Sequence, residues 1–452
     1  MTDVVALLRA ALGESVDTTD AALQAVRADK SGHAEAGTPL AVVHAASVAD
    51  VQATLRIATA TRTPVVPRGA GTGLAGGANT GTGAIALSLR RMDRILEVSP
   101  DDLLAVVEPG ILNADLNDAL AAHDLWWAPD PASRAISTVG GNIATGAGGL
   151  LCAKYGVVRD AVLGLDVVLA DGRLLHLGHR SVKGVTGLDL TSLLIGSEGV
   201  LGVVVGATLK LRRLVPGEVH TIVGMFADVR AAAAASAAVT AAGIQPAIME
   251  LMDATSLAAV HRLLALPVPD GAAQLTIQTD GPAAAAEAAA IAVVLRAHGG
   301  HVEVSADREE GERLLAVRRS MHAAMASLGT TLIEDVAVPR SRLAEMFDEI
   351  ARVEREHGVV IPTVAHAGDG NLHPNFIFDG PDVPEEIWDA ADDVFRAALR
   401  LGGTLTGEHG IGVLKRRWLA DELGPDQWEL QRRIAAVFDP LGILNPGKVF
   451  AP

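Results

Sequence analysis

The glycine-rich segment PVVPRGAGTGLAGGANTGTGAIALSL, residues 64–89, constrains the fold class most tightly. It contains Gly71-Thr72-Gly73-Leu74-Ala75-Gly76, a literal match to the glycine fingerprint of doubly wound dinucleotide folds. That fingerprint works when a helix follows at once, because the helix N-terminus holds the pyrophosphate. Here GGANTGTG follows, which cannot be helical, and AIALSL after it has the pattern of a strand. A doubly wound fold is therefore rejected. What remains is a loop of bare backbone N–H groups able to cradle a phosphate as a nest, with Arg68 nearby as a charge.

Two further loops share this character. PDPASRAISTVGGNIATGAGG, residues 129–149, is a long loop rich in Gly, Ser and Thr, and LLIGSEGVLGVVVGATLKL, residues 193–211, sets a Gly-Ser-Glu-Gly turn before a strand. Together the loops imply a large ligand with phosphates and a heterocycle. Between them VLGLDVVLADGRLLHLG, residues 162–178, predicts a hairpin turning at Asp171-Gly172 as a two-residue turn. After Pro216 the texture changes. EVHTIVGMF, AIMELMD, AQLTIQTD and HVEVSAD are expected strands, with helices from Asp228 to Gly243 and from Pro282 to about Gly299. The order β-α-β-β-α-β predicts an α+β sheet with helices on one face.

Composition narrows the function classes. The 452 residues carry 37 Lys plus Arg against 54 Asp plus Glu, a net charge of −17, which disfavours nucleic acid and anionic membrane surfaces as partners. One cysteine cannot make an internal disulfide or a thiolate metal site, so redox chemistry belongs on a bound cofactor and the compartment reads as reducing and cytoplasmic. MTDVVALLRAALGESVD has the pattern of an ordinary first helix rather than a targeting segment. Uncharged residues 135–153 and 231–249 are long enough to span a membrane but are interrupted by glycines or by Gly243 and Pro246. Peripheral membrane contact and a homodimer stay open. Cys152 is expected as a buried small hydrophobe.

The densest chemistry lies in VAHAGDGNLHPNF, residues 364–376. A two-residue turn at Asp369-Gly370 would set His366 directly opposite His373, a suitable span for two ligands of one metal ion. Glu408 in TGEHGIG is the candidate third ligand, and a His₂Glu set suits zinc, manganese or iron. His409, presented between Gly407 and Gly410 beside Glu408, suits proton abstraction near neutral pH. Arg318 or Arg319, on the helix GERLLAVRRSMHAAM, should clamp a carboxylate.

These motifs resemble the FAD-linked oxidases of the vanillyl-alcohol oxidase superfamily, with a PCMH-type FAD-binding domain, from about residue 36 to the end. The fold implied is α+β: a two-subdomain FAD-binding domain over 36–216 after an N-terminal helical segment 1–35, and a substrate domain with a ferredoxin-like sheet and the metal site over 217–440. A C-terminal segment, 441–452, would return to the flavin domain. The implied FAD contacts are Pro67, Arg68, Gly69, Ala70, Gly71, Thr72, Gly73 and Gly77 in the first loop. Pro129, Asp130, Thr138, Gly140, Gly141, Asn142, Thr145 and Gly148 follow in the second, and Glu198, Gly199, Val203 and Asn445 beyond, with Lys448 a further neighbour. Residues 68–77 hold no histidine, so the flavin is expected to be noncovalent. The second loop departs from the common pattern, with Gly146 where relatives have asparagine.

The histidine motifs are similar to the FAD-dependent 2-hydroxy acid dehydrogenase branch. By that resemblance His366, His373 and Glu408 bind a divalent metal, His409 is the base, and Arg318, Asn375 and His409 bind substrate. The C2 hydride would pass to flavin N5 as His409 takes the hydroxyl proton. The branch acting on D-2-hydroxyglutarate usually has a lysine where this chain has Ile333, so D-lactate, glycolate or a similar acid is expected, with D-2-hydroxyglutarate as the alternative. A non-catalytic electron-transfer subunit is the reading from another class. Oxygen, a quinone, a cytochrome or an electron-transfer flavoprotein could accept the electrons.

Overall fold

The computed structural model describes residues 3–269 and 271–450. The chain divides into two compact units, one made of Met1–Gly148, Gly156–Leu214 and Glu408–Pro452, the other of Gly149–Tyr155 and Val215–Gly407.

The first unit holds two main sheets. One runs in the order Val16–Asp17, Ala41–His44, Ile85–Ser88, Val65–Arg68, and its last three strands pair in parallel. Val43, Val65, Ile85 and Leu87 are fully buried there against Val51, Leu55 and Ala58 of the helix Val48–Thr61. Ser47 starts that helix by accepting the Asp50 N–H at 3.2 Å. No helix lies between Val65–Arg68 and Ile85–Ser88, so the glycine fingerprint is carried on turns, as its following residues require. The N-terminal segment contributes Leu8 and Val16 to this same core.

The other sheet is antiparallel, in the order Ile95–Ser99, Leu104–Val107, Val203–Lys210, Val162–Val168, Leu174–Gly178. Its 162–178 hairpin forms, but Val168 pairs with Leu174, and the Leu169 N–H donates to Arg173 O at 2.9 Å. The connection is therefore one residue longer than an Asp-Gly turn. Gly172, at φ 81°, supplies the left-handed step that closes the longer loop.

The second glycine loop contains a helix that the sequence reading missed, Val139–Thr145. Thr138 Oγ1 accepts the Gly141 N–H at 3.2 Å, and Gly146 ends the helix in a left-handed conformation. Gly140 is needed for packing: a Cβ there would sit 2.4 Å from Pro109 Cβ and 2.9 Å from its carbonyl oxygen.

The second unit is built on one eight-stranded sheet. Its first four strands by sequence, Glu218–Phe226, Ile248–Met252, Ala273–Gly281 and His301–Ser305, lie in the order fourth, first, third, second, all antiparallel, which is the ferredoxin-like arrangement. Thr363–His366, Asn371–Phe378 and Thr330–Ile333 extend it beyond Ile248–Met252. Helices Val229–Ala241 and Ala284–Ala297 form as expected, but Ala254–Leu263 is an additional helix between the second and third strands. Asp253 caps it by accepting the Ser256 N–H at 2.7 Å, and Leu257 and Val260 bury its inner face. Among the described residues, no helix is long and apolar enough to cross a membrane.

Candidate functional site

In the first unit the glycine loops are tied to one another. The Gly196 and Glu198 N–H groups donate to Ile143 O and Ala144 O at 3.0 and 2.8 Å, which hangs the Gly-Ser-Glu-Gly turn on the helix Val139–Thr145. Asn445 Nδ2 donates to Gly77 O at 2.9 Å and to Glu198 O at 2.7 Å, joining the first loop, the third loop and the C-terminal stretch. The backbone pairing of Val65 with Leu444 fixes that stretch on the parallel sheet. Asn79 Oδ1, Thr80 Oγ1 and Asn445 Oδ1 are buried without a protein partner around this junction.

Several residues expected at the flavin also bond within the protein. The Arg68 guanidinium donates to Ala78 O and Ala28 O at 2.7 and 2.8 Å, so it stitches the loop together. Asn142 Nδ2 donates to Ser137 Oγ at 3.1 Å. Glu198 Oε1 accepts the Ile411 N–H at 2.7 Å and its Oε2 the Gly412 N–H at 2.9 Å, so this carboxyl shapes the TGEHGIG turn. Burial pushes its pKa up to about 7, against those N–H groups and Lys415. Lys448 is buried in an ion pair with Glu35. Pro129 O accepts from Asn113 Nδ2 at 2.9 Å, and Thr145 Oγ1 donates to Gly141 O at 3.0 Å. In the TGEHGIG turn, His409 Nε2 lies 3.9 Å from Glu408 Oε1. The Glu408 carboxylate lies so close to Gly148 that a Cβ there would be 2.4 Å from its Oε2.

In the second unit the histidine hairpin forms with a different register from the one expected. His366 pairs with Asn371 and His373 with Val364, so residues 367–370 make a four-residue connection in place of the two-residue turn. The Asp369 and Gly370 N–H groups both donate back to His366 O, at 3.1 and 3.0 Å, which lengthens the turn. The slip is two residues, a full strand period, so both imidazoles keep the same face. Their ring centroids are 5.0 Å apart in a T-shaped arrangement, and both residues are buried.

A carboxylate that the sequence reading missed lies beneath them. Glu250 of Ile248–Met252 pairs directly across the sheet from His366. Its Oε1 is 2.7 Å from His366 Nδ1, and its Oε2 accepts from Arg318 Nε at 2.8 Å. Glu250 is 1 % exposed. Burial alone would raise its pKa, but His366 and Arg318 outweigh burial and hold it below the ordinary value. The two candidate arginines are separated by the same geometry: Arg318 turns inward to Glu250, whereas Arg319 is exposed and pairs with Glu312.

Asn375 is buried two residues beyond His373, and its Nδ2 donates to His373 O at 2.8 Å and to Pro362 O at 3.1 Å. Ile333 is its direct partner across the sheet, so the Ile333 side chain lies on the same face as that of Asn375. Asp335, fully buried, accepts from Thr406 Oγ1 at 2.6 Å and from the Gly407 N–H, and so fixes the chain one residue before Glu408. Cys152 is half-buried rather than buried as expected.

Known proteins share this organisation. Residues 39–178 match the FAD binding domain family, and residues 215–449 match the family described as FAD linked oxidases, C-terminal domain. The chain is 39 % identical over 420 residues to glycolate oxidase subunit GlcD of Bacillus subtilis, covering 91 % of this chain and 89 % of that protein. It is 35 % identical over 413 residues to D-lactate dehydrogenase of Archaeoglobus fulgidus, covering 90 % of each. Among solved structures, p-cresol methylhydroxylase with substrate bound superposes with a TM-score of 0.80 over 99 % of this chain and 96 % of that one, at 16 % identity, a likeness of fold. With both parts of the chain matched and close relatives aligned over nine-tenths of its length, this protein belongs to the FAD-linked oxidases and is an FAD-linked oxidoreductase.

Proposed function

We propose that this chain oxidises a small D-2-hydroxy acid, D-lactate or glycolate, to the corresponding 2-oxo acid. The observation that carries the reading is the one-sided cluster on the histidine hairpin, with rings 5.0 Å apart and Arg318 anchored to the carboxylate that contacts His366. Relatives bearing the names glycolate oxidase subunit and D-lactate dehydrogenase support it.

The residues present fit both groups the reaction needs. With Nδ1–H directed at Glu250, His366 offers Nε2 as a ligand, and His373 stands beside it on the same face. Glu408, one peptide bond beyond the Asp335-held Gly407, completes a set for a divalent ion, zinc or alternatively manganese or iron. In the first unit, the buried acceptors Thr80 Oγ1 and Asn445 Oδ1 suit a noncovalent FAD held mainly by backbone. Met1–Gly148, Gly156–Leu214 and Glu408–Pro452 would then be the flavin unit and the remainder the substrate unit.

When bound, the flavin supplies a hydride acceptor and the metal a Lewis acid for the substrate hydroxyl. The chain's own residues do the rest. Arg318, held through Nε, presents its two Nη groups to the substrate carboxylate. His409 receives the hydroxyl proton on its imidazole. Asn375 has both amide hydrogens spent on carbonyls and offers Oδ1 to the substrate. Ile333 presents an apolar wall, which favours a methyl group or hydrogen at C2 over a second carboxylate. The single cysteine supports a reducing, cytoplasmic setting, and a quinone, cytochrome or electron-transfer flavoprotein is the expected electron acceptor.

The test is anaerobic flavin bleaching by D-lactate, glycolate and D-2-hydroxyglutarate. Bleaching by either small acid supports the reading. Bleaching by D-2-hydroxyglutarate alone would overturn the substrate assignment, and bleaching by none would leave an electron-transfer subunit.

A further inference from the structure

In the proposed reaction Glu250 touches neither substrate nor flavin, although it is among the most deeply buried charged groups in the second unit. It lies on Ile248–Met252, directly across the sheet from His366, and each of its oxygens serves a different partner. Oε1 meets His366 Nδ1 at 2.7 Å, and Oε2 accepts from Arg318 Nε at 2.8 Å. Arg318 comes from the helix Arg308–Arg319, so strand, hairpin and helix converge on one carboxylate.

We propose that Glu250 is a positioning residue that sets the metal ligand His366 and the substrate clamp Arg318 at once. This rests on the reading of the hairpin as a metal site. A carboxylate accepts hydrogen bonds only, so its contact with Nδ1 requires the proton there and turns the Nε2 lone pair outward. Its other oxygen takes Nε–H of Arg318, which fixes the plane of the guanidinium and reserves the Nη edge for a carboxylate. A stabilising pair alone would not need this arrangement, because replacing buried ion pairs by apolar residues is often neutral. One side chain thus spaces the cation that polarises the hydroxyl from the cation that holds the carboxylate.

Glutamine is the informative replacement. It keeps the volume but has one oxygen and one NH₂, so it can place an acceptor at only one of the two positions that Oε1 and Oε2 occupy. The experiment measures the Zn²⁺ dissociation constant by competition with a chromophoric chelator, on flavin-loaded wild type, Glu250→Gln, Glu250→Asp and His366→Ala. Removing a hydrogen-bond partner of a metal-bound histidine costs about 10–100-fold in metal affinity. Glu250→Gln should weaken Zn²⁺ binding by about that factor and raise KM for the hydroxy acid, with flavin content unchanged. Glu250→Asp, which keeps the charge but withdraws the oxygens by one methylene, should show the same direction and substitutes if the Gln protein does not fold. The proposal is overturned if both Glu250 variants bind Zn²⁺ within about threefold of wild type while His366→Ala loses it. If His366→Ala also binds like wild type, the metal reading itself falls, and the proposal with it.

Discussion

Glu198→Gln is expected to remove a pH-dependent loss of stability from the first unit. The carboxyl is buried, and burial pushes its pKa up to about 7 from the ordinary 4.5, even with the Ile411 and Gly412 N–H groups and Lys415 opposing. A carboxyl with a higher pKa folded than unfolded carries more protons in the native state between those two values, so stability falls as pH rises. Its contribution is fully present below pH 4.5 and is lost by the time pH passes about 7. One pKa unit is about 1.4 kcal/mol, so the rise from 4.5 to about 7 corresponds to about 3 kcal/mol. Glutamine keeps the shape and an acceptor for the turn at Ile411 but does not titrate. Urea unfolding at matched flavin occupancy, from about pH 4.5 to about pH 8, should show wild type losing about 3 kcal/mol relative to Glu198→Gln. Parallel pH profiles for the two proteins would refute the reasoning.

Other outcomes follow from single contacts. Gly140→Ala would drive a methyl group into Pro109, so a stability loss of about 1–3 kcal/mol and weaker FAD retention are expected, read by thermal unfolding and by flavin content after gel filtration. Ile333→Lys places a cation beside Asn375, and a charge-assisted hydrogen bond of about 1.5–3 kcal/mol should raise kcat/KM for D-2-hydroxyglutarate relative to D-lactate by about 10–100-fold. An unchanged ratio would show that position 333 does not face the substrate. Gly148→Ala should displace the Glu408 carboxylate and weaken Zn²⁺ binding, measured by equilibrium dialysis, while leaving hydrophobic cores intact.

Local patterns were the legible part of this protein. Residues 77–84 cannot be helical, and this alone separates the glycine loop from a doubly wound fold. The pairing of His366 with His373 on one face was legible too, because a two-residue error in register restores the same face. The register itself was not, since the four-residue turn depends on both Asp369 and Gly370 donating back to His366 O. The helix Val139–Thr145 was hidden by its two glycines, of which Gly140 serves packing against Pro109 instead of chain freedom. Glu250 was out of reach for a different reason. It lies 116 residues from His366 in sequence, and nothing local in AIMELMD marks it as the partner of a histidine. Arg318 and Arg319 are equivalent by composition; the resemblance favours Arg318, and the contact with Glu250 gives the physical difference between them.

If the chain oxidises a 2-hydroxy acid as proposed, His409 is the group that takes the hydroxyl proton. Anaerobic stopped-flow reduction of the flavin by D-lactate and glycolate, in wild type and His409→Ala at equal flavin and metal content, tests it most directly. Fast bleaching is expected in wild type, with a loss of about 10²–10⁴-fold in the limiting rate for the variant. Equal limiting rates in the two proteins would contradict it.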